Sequence, residues 1–217
     1  MKTYIFTFAL FLSMITATLA IDPAYEKAML TQVENLNRAN SQEEYQSAAN
    51  AFARIAEMNS GEWLPQYYAA LAYTQMSINH PGKLNEKDAL LAKATEHLNK
   101  AAGISQSNSE IVALEGFILM AKLSADPERR GQSLSPKVMQ TYGKAIEMDK
   151  NNPRPLMLMA QMEYGMAQFF GQGPEKACGL GRISLDLYKK EAANAAENNL
   201  QPTWGREMAE QLTKRCR

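Results

Sequence analysis

The chain has 217 residues, of which 23 are basic and 23 are acidic, so its formal net charge is zero. A balanced charge gives no basic field to meet nucleic acid or an anionic membrane surface, and we expect neither as a partner. The length suits one domain with a sizeable core, or a short array of repeats.

The first twenty residues differ in character from the rest. Lys2 is followed by an uncharged apolar run, and the small residues Thr18 and Ala20 stand three and one residues before a plausible cleavage point. This pattern predicts a secretory signal peptide at 1–20, with a retained N-terminal anchor as the alternative. The mature chain, 21–217, is then expected to be periplasmic or secreted, with no membrane insertion. Losing Lys2 would leave one acidic residue in excess.

Helical periodicity continues along the remainder, and no segment alternates as a strand does. The fifth helix is preceded by serine and carries Glu110 in its first turn, and the seventh and ninth begin at prolines, which are typical helix starts. We therefore predict an all-α chain. The predicted helices are 22–39, 42–58, 63–78, 86–103, 109–123, 135–149, 154–168, 180–197 and 202–215.

Two marks recur along these helices at intervals near 45 residues. Small residues recur in the first helix of each pair, at Ala70, Gly116, Ala160 and Gly205. Helices that cross closely need such a residue at the contact. The second helices carry triplets spaced by four and three residues, which keeps each triplet on one face. They are Ala48–Phe52–Ile55, Ala94–Leu98–Ala101, Val138–Tyr142–Ala145 and Ser184–Tyr188–Glu191, the last departing at its charged member.

The segment TYGKAIEMDKNNPRPLMLMAQMEY, 141–164, joins two helices through an acidic Asn-Asn-Pro turn. Together with the triplets, it resembles the tetratricopeptide (TPR) repeat family, best over 42–168. The resemblance implies an α-solenoid of about four helix pairs. Family repeats have ~34 residues, and the excess here is predicted to form long loops within the pairs, at 77–87, 124–136 and 169–181. The stretch EWLPQYYAALAYTQM is also similar to a helix of small exported repeat proteins from Gram-negative, Bacteroidetes-type bacteria.

The TPR resemblance implies a concave groove lined by the first helix of each pair. The leading interpretation is a non-enzymatic, exported interaction module that binds a protein or peptide partner there, because aromatic and amide side chains suit an extended peptide or a helix. Packing between repeats is the alternative role for Tyr67, Tyr68 and Tyr73. The candidate groove residues are Tyr67, Leu71, Thr74, Phe117, Arg154, Gln161 and Tyr164.

The methionines of the seventh predicted helix support a second interpretation. Met159, Met162 and Met166 share one face, and thioethers suit Cu(I). The alternative function is therefore a small-ligand or Cu(I)-binding periplasmic protein that uses this helix and the long loops. Methionine also fills apolar cores, and no carboxylate cluster has the spacing of metal ligands, so we predict no metal site and no cofactor.

The segment FFGQGPEKACGLG, 169–181, concentrates glycines in a helix-prone chain. It lacks the Gly-Lys-Ser/Thr of a phosphate loop. We therefore interpret it as a connector whose glycines break the helix pair, with Phe169 and Phe170 closing the core beneath it.

The chain has two cysteines, Cys178 and Cys216. In an oxidising compartment they are expected to pair and to hold the terminal helix in place. Free thiols, or a catalytic Cys178, are the alternatives. A catalytic thiol needs a base, and the sequence places neither His80 nor His97 near it. We predict no catalytic residues and no enzymatic activity.

Overall fold

The structure is a computed structural model that describes residues 22–196 and 199–216, so the predicted signal peptide at 1–20 lies outside it. The described part of the chain is helical and contains no strand, which confirms the all-α prediction. None of its helices combines the length and apolar content of a membrane span. The helices are α1 (Pro23–Arg38), α2 (Gln42–Met58), α3 (Trp63–Ile78), α4 (Leu84–Ile104), α5 (Ser109–Ser124), α6 (Pro127–Met148), α7 (Pro153–Phe169), α8 (Glu175–Asn194) and α9 (Arg206–Arg215).

The helices pack in a regular order. Each helix contacts the next along the chain, and the odd-numbered helices also contact one another in sequence, α1 with α3, α3 with α5, α5 with α7 and α7 with α9. Within the described residues, the even-numbered helices pack mainly against their neighbours along the chain, although an ion pair between Arg130 and Asp88 joins α6 to α4. The odd-numbered helices thus form one continuous layer. The solenoid arrangement and its 45-residue period stay predictions.

Polar residues at the turns set where the helices begin. The Asn-Asn-Pro turn starts α7 as expected, because the Asn152 side chain accepts a hydrogen bond from the Arg154 amide and Pro153 occupies the first position. Asn152 also donates to the Ser109 hydroxyl at 3.1 Å, and Ser109 donates to the Ala145 carbonyl at 2.9 Å. The turn is therefore tied to both α5 and α6.

Three predicted helix starts are wrong, and one of them is that of α9, which begins at Arg206 instead of 202. α6 begins at Pro127 instead of 135, because the Asp126 side chain caps it by accepting from the Arg129 amide, and Pro136 is accommodated inside the helix. α8 begins at Glu175 instead of 180. The predicted long loops therefore shorten to 79–83, 125–126 and 170–174. The excess residues lie in longer helices, since α4, α6 and α8 have 21, 22 and 20 residues while α3, α5 and α7 have 16, 16 and 17.

Most members of the predicted triplets are buried, whereas Ile55 and Glu191 are only partly buried. In α6, Val138, Tyr142 and Ala145 are completely buried, as their common helix face requires. Gly116 of α5 meets the ring of Tyr142, because a Cβ built at Gly116 would overlap that ring. This close approach is the role that the sequence assigned to the small residue of the pair.

Replacing Gly116 with alanine is expected to destabilise the protein, because the added Cβ would overlap the completely buried Tyr142 ring. Overpacking typically costs about 1–3 kcal/mol, which exceeds the gain of roughly 1 kcal/mol that alanine brings to a helix interior. Gly143→Ala in α6 is the matched control. Its added Cβ meets nothing within 4 Å, so it should be neutral or stabilising. Urea denaturation measures both, and equal midpoints for the two variants would contradict the expectation.

Candidate functional site

The predicted groove residues divide into two groups. Five of them are buried in the core, which corrects their assignment to a partner-binding surface: Tyr67, Leu71, Thr74, Phe117 and Arg154. The other two, Gln161 and Tyr164, are half-buried and lie in an open cleft. Two of the five, Tyr67 and Phe117, contact a segment near the C-terminus that folds back over this face of the odd-numbered layer.

Residues 199–205, which we call the strap, cover that face. The Trp204 ring stacks on Phe117 with 5.5 Å between the ring centroids, and its Nε1 donates to the Tyr67 hydroxyl at 2.8 Å. The Tyr68 hydroxyl donates to the Leu200 carbonyl at 3.1 Å. The part of the predicted groove around Tyr67 and Phe117 is therefore occupied by a segment of the same chain.

The end of the strap explains the fourth predicted small residue. Gly205 precedes α9 with φ +101, a left-handed conformation that favours glycine. A Cβ at this position would also overlap the Tyr188 hydroxyl, which donates to the Trp204 carbonyl at 3.1 Å. Gly205 is thus required for a close approach, as predicted, but it lies outside the helix in which the sequence placed it.

Arg154 lies at the centre of a buried ion-pair network. Its Nε is 2.7 Å from a Glu110 carboxylate oxygen, its Nη2 is 2.7 Å from a Glu191 carboxylate oxygen, and the side chain is only 3% exposed. The Tyr67 hydroxyl also donates to Glu110 at 3.2 Å. The network joins α3, α5, α7 and α8, so Arg154 is committed to structure and is unavailable to a ligand.

Burial and ion pairing shift the pKa values of Glu110 and Arg154 in opposite directions. Burial raises the pKa of Glu110, although Arg154 opposes the shift. Burial would lower the pKa of Arg154, but Glu110 and Glu191 overcome that effect and raise it. Burial, aided by Glu110, holds the pKa of Tyr67 well above its ordinary value, so its hydroxyl stays protonated and able to donate.

The open cleft lies between α7 and α9 and has a volume of about 180 Å³. α7 contributes one wall and α9 the other. The lining residues are Gln161, Tyr164 and Gly165 from α7, and Met208, Gln211, Leu212 and Arg215 from α9. The cleft therefore combines a phenol, a thioether, two amides and an exposed guanidinium with the apolar side chain of Leu212.

Gly165 gives the cleft an unusual floor. It is an exposed residue in the interior of α7, where glycine costs about 1 kcal/mol relative to alanine. A Cβ built there would meet none of the described residues within 4 Å. Among these residues, no packing contact therefore explains this glycine, and its effect is to expose the backbone of α7 to anything that enters the cleft.

The sequence did not predict the α9 residues that line the cleft, because it suggested only a capping role for the terminal helix. The spacing of these residues could have indicated a common surface. Met208, Gln211, Leu212 and Arg215 follow one another at spacings of three, one and three residues, which places all four on one helix face. What the sequence could not indicate is that this face meets α7.

The structure joins Cys178 to Cys216, which confirms the predicted disulfide and removes the alternatives of free thiols and a catalytic Cys178. Cys178 lies in the first turns of α8 and not in a loop. Gly181, expected to break the helix, also lies in α8, where a Cβ would approach Leu212 Cδ2 at 3.2 Å. This glycine therefore allows α9 to lie close against α8.

The sequence also made predictions for two phenylalanines at the end of α7 and for three methionines within it. Phe169 and Phe170, expected beneath the turn, are instead 82% and 65% exposed. Met162 is buried, and Met159 and Met166 are partly buried against the core. These three methionines thus have the packing contacts of core residues.

No family model matches the chain, and no curated protein does. Among solved structures, the HusA haemophore from Porphyromonas gingivalis is similar at 30% sequence identity and a TM-score of 0.78, over 89% of this chain and 93% of its own. The chain belongs to the family of the HusA haemophore. A relative from a Bacteroidetes bacterium agrees with the bacterial type that the sequence suggested. Since no family model matches, the TPR likeness itself stays a prediction.

Proposed function

We propose that the protein is an exported, non-enzymatic carrier that binds haem, or a related planar porphyrin, in the cleft between α7 and α9. The observation that carries the proposal is the likeness to the HusA haemophore along nearly the whole of both chains. A haemophore is by definition a haem carrier. The Cys178–Cys216 bridge further supports export, because disulfides persist in oxidising compartments.

The donors in the cleft suit this cargo. Tyrosine oxygen and methionine sulfur are both among the protein ligands of haem iron, and Tyr164 and Met208 lie on opposite walls. The guanidinium of Arg215 is exposed at the same cleft, and arginine pairs well with carboxylates such as the propionates of haem.

The size and floor of the cleft indicate how the cargo would be held. Its volume of about 180 Å³ is smaller than the ~300 Å³ of pockets that enclose a drug-sized ligand. Haem would therefore be bound with part of its surface exposed to solvent, as suits a protein that passes its cargo on. The bare backbone at Gly165 would let the flat face of the ring approach α7 closely.

A haem titration followed by absorption spectroscopy tests the proposal. Gly165→Leu is expected to weaken binding at least tenfold, because its side chain would fill the floor of the cleft. Gly143→Leu is the matched control, since Gly143 also lies within a helix with open space above it, and its affinity should equal that of the wild type. Tyr164→Phe should shift the haem absorption band if the phenolate binds iron.

The possible results test the proposed ligand and the proposed binding site independently. A wild-type protein that does not bind haem would contradict the proposed cargo. Haem binding that is unaffected by Gly165→Leu would move the site away from this cleft. Equal affinity for iron-free protoporphyrin would show that ring contacts, and not iron ligation, dominate binding.

A protein or peptide partner is the second candidate function, and one observation favours it. The rings of Phe169 and Phe170 contact each other edge to face with 5.1 Å between their centroids, yet both are exposed. Clustered exposed apolar side chains often mark interaction sites. The double variant Phe169→Ser, Phe170→Ser should abolish such an interaction and leave haem affinity unchanged.

A further inference from the structure

The cleft depends on α9 for more than half of its lining. Met208, Gln211, Leu212 and Arg215 all come from this helix. If α9 moves away, only Gln161, Tyr164 and Gly165 remain, on the exposed side of α7. The position of α9 therefore decides whether the binding site exists.

α9 has few means of holding itself in place. It has only ten residues, its N-terminus has no side-chain cap, and Ala209 and Leu212 are its only buried side chains. Isolated helices shorter than ~12–15 residues are marginal in water. α9 must therefore be stabilised by its attachments to the rest of the protein.

Besides the buried Ala209 and Leu212, two attachments hold α9, one at each of its ends. Before α9, the strap is anchored by Trp204, through its contacts with Phe117 and Tyr67. After α9, Cys216 is bonded to Cys178 in α8, across a sequence separation of 38 residues. The first anchor is non-covalent and buried, whereas the second is covalent and can be broken by reduction.

We infer that the Cys178–Cys216 disulfide is a redox latch on the cargo cleft, which holds the α9 wall in place when oxidised and releases it, with the bound cargo, when reduced. The cargo part of this inference rests on the proposed function. The strap stays anchored through Trp204 in the reduced protein, so opening is confined to α9 and the core of α1–α8 is retained.

The reductant in this step is a dithiol. One of its thiolates attacks Cys216 Sγ, which is the accessible sulfur because Cys216 is half-buried and Cys178 is buried. The disulfide bond breaks, and Cys178 leaves as a thiolate and takes up a proton. The second thiolate of the reductant then resolves the mixed disulfide, and Cys216 leaves and is protonated in turn. Two electrons have passed to the protein, and the reductant has become a disulfide.

Zinc protoporphyrin is the probe for the test, because its fluorescence reports binding and its metal is not reduced by dithiols. Affinity is measured for the oxidised protein and for the protein treated with dithiothreitol, with a thiol count of two confirming reduction. We expect reduction to weaken binding at least tenfold. The double variant Cys178→Ser, Cys216→Ser should bind as weakly as the reduced protein and should not respond to dithiothreitol.

Hydrogen exchange, measured on the same samples, tests the release of α9 independently of porphyrin binding. Reduction should accelerate exchange of the α9 amides and leave the amides of α3, α5 and α7 protected, which also shows that the reduced protein stays folded. Unchanged protection of α9, or unchanged affinity after complete reduction, would overturn the latch. If neither form binds the porphyrin, the proposed function fails, and the exchange of α9 alone decides whether the latch exists.

Discussion

Replacing Arg154 with methionine is expected to destabilise the protein by about 3–5 kcal/mol, the usual cost of removing one partner from a buried ion pair. The substitution would leave the carboxylates of Glu110 and Glu191 facing each other without a cation. Both now depend on the Arg154 guanidinium, at 2.7 Å from each. Denaturation with guanidinium chloride, followed by circular dichroism, measures the loss of stability.

The network predicts a specific rescue of this variant. Adding Glu110→Gln and Glu191→Gln to Arg154→Met removes the uncompensated charges and should recover a large part of the lost stability. Arg38→Met is the control, because Arg38 forms an exposed pair with Glu34 on one helix, and it should change stability by less than about 0.5 kcal/mol. A loss below about 1 kcal/mol for Arg154→Met would contradict the structural role of the network.

The same variant should gain stability on acidification. Burial already raises the pKa of Glu110, and loss of Arg154 would raise it further. A carboxyl whose pKa is higher in the folded state binds its proton more readily there than in the unfolded chain, where the pKa is ~4.3. Folding is therefore favoured as the pH falls through the raised pKa towards that value. The deficit of Arg154→Met should be smaller at pH 5 than at pH 8.

Replacing Trp204 with alanine is expected to cost about 3–5 kcal/mol, the range for large aromatic truncations in a core. The change removes the ring that stacks on Phe117 and the hydrogen bond from Nε1 to the Tyr67 hydroxyl. It should also release the strap and expose the face that it covers. The free energy of unfolding and the exchange of the amides of α3 and α5 both report this change.

Phe169→Ala is the matched control for Trp204→Ala. It also truncates an aromatic side chain, but one that is exposed, so the free energy of unfolding should change by no more than about 0.5 kcal/mol. If the two variants had equal stability, the strap would not be an integral part of the fold.

The local structure of this chain could be predicted well from its residues. Helix faces are set by side chains three and four residues apart, and helix starts by caps and prolines next to them, so the necessary information lies within one or two turns. The buried triplet Val138–Tyr142–Ala145 and the Asn152 cap of α7 are examples. The errors at α6 and α8 arose where proline or glycine, taken as breakers, lie inside a helix.

The candidate site was predictable only in part. Gln161 and Tyr164 were selected from the sequence and do line the cleft. The α9 residues opposite them were missed, and five predicted groove residues proved to be core, because both outcomes depend on where the C-terminal segment folds back. The proposal of haem as the cargo rests on the likeness to the HusA haemophore and not on any motif.

The sequence by itself determined that the chain is helical and where most apolar helix faces lie, and it favoured the pairing of the two cysteines, because periodicity, caps and a count of two thiols are local or combinatorial properties. Only the tertiary structure decided that the predicted groove is filled and that a cleft forms beside it. The hydrogen bond from Trp204 to Tyr67 joins residues that are 137 positions apart in the sequence. No local pattern encodes a contact of that range, since it forms only when the assembled layer presents a surface that the strap can bury.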